Sequence, residues 1–110
     1  MMSGQTIERE QVAIQSTSQH GVLTVTIAGE LDVTTIPAFC RYLDRALPER
    51  PRLIVFDLAE VGFIDCAGAR AIRSCRAMPG APRLVLCHPC PIVRRLLSLT
   101  GLDAQCVVRP

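Results

Sequence analysis

Two short apolar runs constrain this chain more than any other feature: Leu53–Phe56 in "RLIVFDLA" and Leu84–Cys87 in "RLVLC". Neither run alternates with polar residues, which is the pattern of strands covered on both faces or nearly so, in the middle of a sheet. Between them lies "CAGARAIRSCRA", in which Ala71, Ile72 and Cys75 recur on one side and Arg70, Arg73 and Arg76 on the other. That spacing predicts a helix over about Ala67–Ala77, ended by "MPGAP". A strand, a helix and a strand in succession is the repeating unit of a sheet with parallel pairs.

The flanking segments extend the pattern. "GVLTVTIAGEL" alternates after a turn at His20-Gly21 and reads as a half-buried strand, and "IEREQVAIQ" as a weaker first strand. "DVTTIPAFCRYLDRALPERP" has Ile36, Phe39/Cys40, Leu43 and Leu47 at helical spacing. Thr34 or Thr35 can cap that helix, Pro37 suits its first turn, and Pro48 and Pro51 stop it. "PIVRRLLSLTGLD" reads as a helix from Pro91 to a glycine cap at Gly101, with Leu102 packing back on its last turn. "AQCVV" supplies a final edge strand. The order β-β-α-β-α-β-α-β predicts an α/β fold. It is a mixed sheet of four to five strands with helices mainly on one face, the other face staying partly open. All 110 residues form one domain, ordered over about residues 7–108, with residues 1–6 loose.

Composition narrows the functional classes. Hydrophobic residues make up 49% and charged residues 20%, as in a globular domain. A formal charge of +2 does not argue for a nucleic-acid or membrane partner, although every one of the 12 basic residues is arginine. "MMSGQTIEREQ" has no apolar core of a signal peptide, and no stretch approaches the roughly 18 apolar residues of a membrane span. A cytoplasmic protein is expected, so Cys40, Cys66, Cys75, Cys87, Cys90 and Cys106 are read as free, mostly buried thiols.

The chain has no GxGxxG, P-loop, HExxH or GxSxG, and its two histidines, His20 and His88, read as loop residues. We therefore expect no catalysis, cofactor or metal. "CHPC" (Cys87–Cys90) is a lone CxxC without a second ligand pair, so zinc does not fit. A redox dithiol would place its attacking thiol at a helix N-terminus. Here Cys87 ends a strand and Cys90 is at best an N-cap before Pro91. Asp32, Asp57 and Asp65 fall at strand ends or the turns after them, where a carboxylate usually caps free backbone N–H groups. A turn Asp-Ser-Ser-Gly before a helix would hold an added phosphate on those N–H groups. The corresponding residues are Asp65, Cys66, Ala67 and Gly68, and both hydroxyls are missing.

In this order, "GELD" before a helix, "DLAEVGFIDCAG" and "PIVRRLLSLTGLD" resemble STAS-domain proteins of the anti-sigma-factor antagonist type, from about Val12 to Val108. The resemblance implies regulated binding to an anti-sigma factor that is also a serine kinase, which frees a sigma factor for transcription. It places the partner surface at Glu30, Asp32, Thr34, Asp65, Cys66, Ala67, Gly68 and Arg70, in a monomer or weak dimer. It also puts Cys66 where the phosphoacceptor serine stands, so the usual phosphorylation switch is expected to be absent. Oxidation of Cys66, or of Cys87 with Cys90, is a weaker substitute. The alternatives are a scaffolding STAS module of a signalling complex and a small redox-responsive dithiol protein using Cys87 and Cys90.

Overall fold

The computed structural model describes residues 2–9, 12–47 and 50–110. Six strands form one sheet in sequence order: β1 (Met2–Arg9), β2 (Val12–Gln19), β3 (Val22–Leu31), β4 (Leu53–Ile64), β5 (Arg83–Cys87) and β6 (Val107–Arg109). Three helices intervene: α1 (Ile36–Ala46), α2 (Cys66–Ser74) and α3 (Pro91–Leu99). β1, β2 and β3 pair antiparallel, whereas β3–β4, β4–β5 and β5–β6 pair parallel. The helices are the crossovers that parallel neighbours require.

The mixed α/β sheet expected from the sequence is present, with one strand more than the four to five anticipated. The added strand is β1, which pairs Met2 with Ser18 and Arg9 with Val12, so residues 2–6 are not loose. The single strand read in "IEREQVAIQ" is divided between β1 and β2, its middle lying outside the described residues. β2 and β3 join through His20 and Gly21, both at positive φ (52° and 78°), with Gln19 opposite Val22. Two consecutive positive-φ residues define the type I′ turn, whose twist suits a two-residue hairpin.

One face of the sheet carries the core. Ile14, Leu23, Val25, Ile27, Ile54, Phe56, Leu58, Leu84 and Leu86 are buried beneath the helices, and the Phe39 and Phe56 rings lie 6.1 Å apart between centroids. α1 buries Ala38, Phe39, Tyr42 and Leu43. Cys40, assigned to that inner side from its spacing, is exposed instead, and Tyr42 takes the buried place with its hydroxyl 2.7 Å from Ser16 Oγ. Among the described residues no helix covers the opposite face of the sheet. In one row across it stand Thr17, Thr24, Val55, Val85 and Val107, all at least partly exposed.

β4 is longer than the apolar run suggests, because it spans two irregularities against β3. Thr26 and Ala28 pair with Asp57 and Glu60, then Gly29 and Glu30 pair with Val61 and Phe63. Each step gives β4 one extra residue, as a bulge does, so its core contacts change from every second residue (Ile54, Phe56, Leu58) to every third (Val61, Ile64). Asp57 accordingly lies within β4, not at its end, and accepts from the Ala59 N–H at 3.0 Å beside the first bulge.

α2 ends at Ser74 and continues as a single 3-10 turn, Cys75–Ala77, so the segment reaches the expected Ala77 with a tightened last turn. Gly101, at φ 79°, ends the α3 segment, and Leu102 beyond it is fully buried, as the glycine cap predicts.

Candidate functional site

The C-terminal ends of β3 and β4 are neighbours, since Leu31 pairs with Ile64. The residues after each strand therefore meet: the loop Asp32–Thr35 and the start of α2. Asp65 ties them together. Its backbone N–H donates to the Leu31 carbonyl at 3.1 Å. One carboxylate oxygen accepts from the Gly68 N–H at 2.8 Å and the other from the Val33 N–H at 3.2 Å. Asp65 is thus the N-cap of α2, in extended conformation, and at the same time the brace of the neighbouring loop.

The Asp32 loop is held from within. Asp32 Oδ1 accepts from the Thr34 hydroxyl at 2.6 Å, the Thr34 N–H at 3.0 Å and the Thr35 N–H at 3.2 Å. The Thr34 hydroxyl is the chief reason the Asp32 carboxyl lies below its ordinary pKa; desolvation opposes it, and the two N–H donors add to the lowering. Thr35 makes no side-chain cap to α1. Its buried hydroxyl donates to the Glu30 carbonyl at 2.8 Å and accepts from the Asp32 N–H at 3.0 Å. α1 therefore has no side-chain cap, and Asp32 instead closes the turn before it as an Asx turn.

Cys66, the first residue of α2, is exposed, and Arg70 one turn later is exposed as well. Ala67 is half-buried and Gly68 buried. The amides that open a helix have no intrahelical acceptor, so the Cys66 thiol projects from ground suited to a negative charge. Glu30 is exposed beside this turn at the last bulge, opposite Phe63.

The sequence reading missed three apolar side chains at this end of the molecule. Val33 is 69% exposed, Phe63 40% and Ile92 52%. Val33 follows Asp32 and donates to Asp65. Phe63 is turned outward by the second bulge. Ile92 stands in the first turn of α3, next to Cys90, whose thiol lies 3.6 Å from the Val61 carbonyl. Strict alternation from Ile54, Phe56 and Leu58 already turns Phe63 away from the core; the first bulge reverses that parity, bringing Val61 inward, and the second restores it.

Of the six cysteines only Cys75 is fully buried; Cys40 and Cys66 are exposed, the other three half-buried. The expectation of mostly buried thiols is corrected accordingly. Burial pushes the Cys75 thiol up to about 12 and also raises Cys40 and Cys106. Cys87 ends β5 on the uncovered face of the sheet, and Cys90 is the N-cap residue of α3, packed against the core. Among the described residues no cluster of His, Cys, Asp and Glu is arranged to hold a metal ion, and Asp32, Asp57 and Asp65 do not converge. No helix among them is long and apolar enough to cross a membrane.

The architecture defines a small α/β module with a strand-to-helix turn at one end, exposed at Cys66 and braced by the adjoining loop. The profile of the STAS domain family matches residues 13–109, and the chain belongs to that family. It is similar to the anti-sigma-F factor antagonist RsfB of Mycobacterium tuberculosis, 23% identical over 95 residues that cover 86% of this chain and 78% of the relative. Among solved structures, an anti-sigma factor antagonist from Mycobacterium paratuberculosis superposes with a TM-score of 0.78 at 25% identity, covering 90% of this chain and 86% of the other. Unphosphorylated SpoIIAA, also an anti-sigma factor antagonist, shares the fold at TM-score 0.67 and 20% identity, covering 86% of each chain.

Proposed function

We propose that this chain is an anti-sigma-factor antagonist, a binding module without catalysis of its own. It engages an anti-sigma factor of serine-kinase type through the end of the sheet formed by Glu30, Asp32–Thr34 and Asp65–Arg70. The observation that carries this reading is Asp65 binding both Gly68 and Val33, which presents two loops as one rigid surface. A preformed surface loses little conformational entropy on docking. Val33, Phe63 and Ile92 supply apolar contacts, and the carboxylates around them favour a partner with basic groups. The antagonists named among its relatives support the class of partner.

Cys66 has no hydroxyl to accept phosphate, so the bound state is not ended by phosphorylation at this position. The exposure of its thiol supports control by oxidation instead, in which peroxide converts the thiol to a sulfenic acid and water.

The test takes partners purified through this chain and examines binding directly with a purified kinase-type anti-sigma factor and ATP. We expect a saturable complex, no phosphate on the natural chain, and phosphate on Cys66→Ser at residue 66. Phosphate on Thr34 or Thr35 would overturn the missing switch, and the absence of any kinase-type partner would overturn the function. Partner affinity left unchanged by mild peroxide would overturn redox control alone.

A further inference from the structure

The end of the sheet opposite Cys66 carries a groove of about 400 Å³ where α2 runs out. Arg76 of the 3-10 turn lines it together with Arg83 at the start of β5, and Gln105, Cys106 and Val107 border the other side, with Leu84 at the base. The volume is within the range of small-ligand sites. No carboxylate is among the residues lining it.

Two guanidinium groups at one groove normally come with an internal counter-charge. Neither Arg76 nor Arg83 forms an ion pair or a side-chain hydrogen bond among the described residues, and both are exposed. The remaining titratable group in the lining is Cys106. Burial raises its pKa, and although Arg76 and Arg73 pull the other way, the thiol stays neutral. The positive charge is therefore left uncompensated from within.

We propose that this groove binds a small phosphate monoester, its phosphate taken by Arg76 and Arg83 and its organic body resting on the exposed Ala104 and Val107. A phosphate monoester carries about −1.5 to −2 charges at neutral pH, which balances two guanidinium groups, whereas a single carboxylate leaves one unmatched. Each guanidinium presents a planar fork of N–H donors suited to phosphate oxygens. Gln105 adds an amide that both donates and accepts, able to meet a hydroxyl of the ligand. The groove lies away from the Asp65–Cys66 turn, so this site is independent of the partner surface.

The experiment is an NMR titration of the full chain with phenyl phosphate, with benzoate and inorganic phosphate at matched ionic strength in parallel. We expect saturable shifts confined to residues around 76, 83 and 104–107, with phenyl phosphate bound about tenfold more tightly than benzoate. Arg76→Ala and Arg83→Ala should each weaken it by about tenfold, while Arg41→Ala on α1 leaves it unchanged. Both groove arginines are exposed, so thermal melts of these variants should match that of the natural chain, and Arg76→Lys should recover part of the loss. Inorganic phosphate binding as tightly as phenyl phosphate would overturn the apolar seat. Equal binding of benzoate, non-saturable shifts spread over all arginines, or intact affinity in both alanine variants would overturn the site.

Discussion

Gly68 faces the carbonyl oxygen of Leu31 with no room between them for a methyl group; a Cβ there would also come within 3.0 Å of Ile64 Cγ1. The backbone of α2 can approach the end of β3 this closely only without a side chain. Close approach makes Asp65 reach both Gly68 and Val33. Gly68→Ala should therefore push α2 off the sheet, cost roughly 2 kcal/mol in urea unfolding and weaken partner binding. Gly62, in the adjacent bulge, has nothing within 4 Å of the place a Cβ would occupy, and Gly62→Ala is the control expected to leave stability nearly unchanged.

Asp65→Ala removes the N-cap of α2 and the acceptor for Val33 together. A lost cap alone costs about 1 kcal/mol, and the freed Asp32 loop adds to it, so a total of roughly 1–2 kcal/mol is expected from denaturant unfolding. Asp65→Asn keeps an oxygen for the Gly68 N–H and should lose much less stability.

The depressed pKa of Asp32 makes a statement about acid stability. Folding holds its carboxylate ionised, so its contribution is complete above the unfolded value of about 3.9 and is lost as pH falls through the lower folded value. Asp32→Asn should remove this step from the acid limb of a stability-versus-pH curve. Thr34→Val should shrink it, because the Thr34 hydroxyl is the main cause of the shift.

The thiols should separate by accessibility. Cys66 should react with iodoacetamide in the native protein, and Cys75, 1% exposed, only on unfolding; peptide mapping after timed labelling checks both. Cys75 also shapes the alkaline limb. Its neutral thiol is favoured in the fold, so stability is full below the unfolded value of about 8.5 and falls as pH rises from there to about 12. Cys75→Ala should flatten that fall.

Much of the architecture was legible because local chemistry and global packing agree. The runs at Leu53–Phe56 and Leu84–Cys87 became adjacent parallel strands, and the helical spacing after Pro37 and Pro91 became α1 and α3. The pair Asp65 and Asp32 was readable as capping chemistry, since an acid before a helix has few better uses. Less was legible where pairing partners decide. β1 has weak alternation, and its place depends on the hydrogen-bonding edge that β2 offers. Tyr42 and Cys40 sit two residues apart on α1, and which of them turns inward is settled by Ser16 on β2, 26 residues away from Tyr42 in the chain.

By itself the sequence determined the order of strands and helices from β2 onward, a turn at His20-Gly21, and the absence of a hydroxyl at residue 66. These follow from side-chain period and covalent identity, which are local properties. Tertiary structure decided that the Asp32 loop and the Cys66 turn form one surface, because that requires the pairing of Leu31 with Ile64 and the missing side chain of Gly68. It also decided that Val61 packs inward, because the first bulge in β4 reverses the alternation set by Ile54, Phe56 and Leu58 before the second restores it.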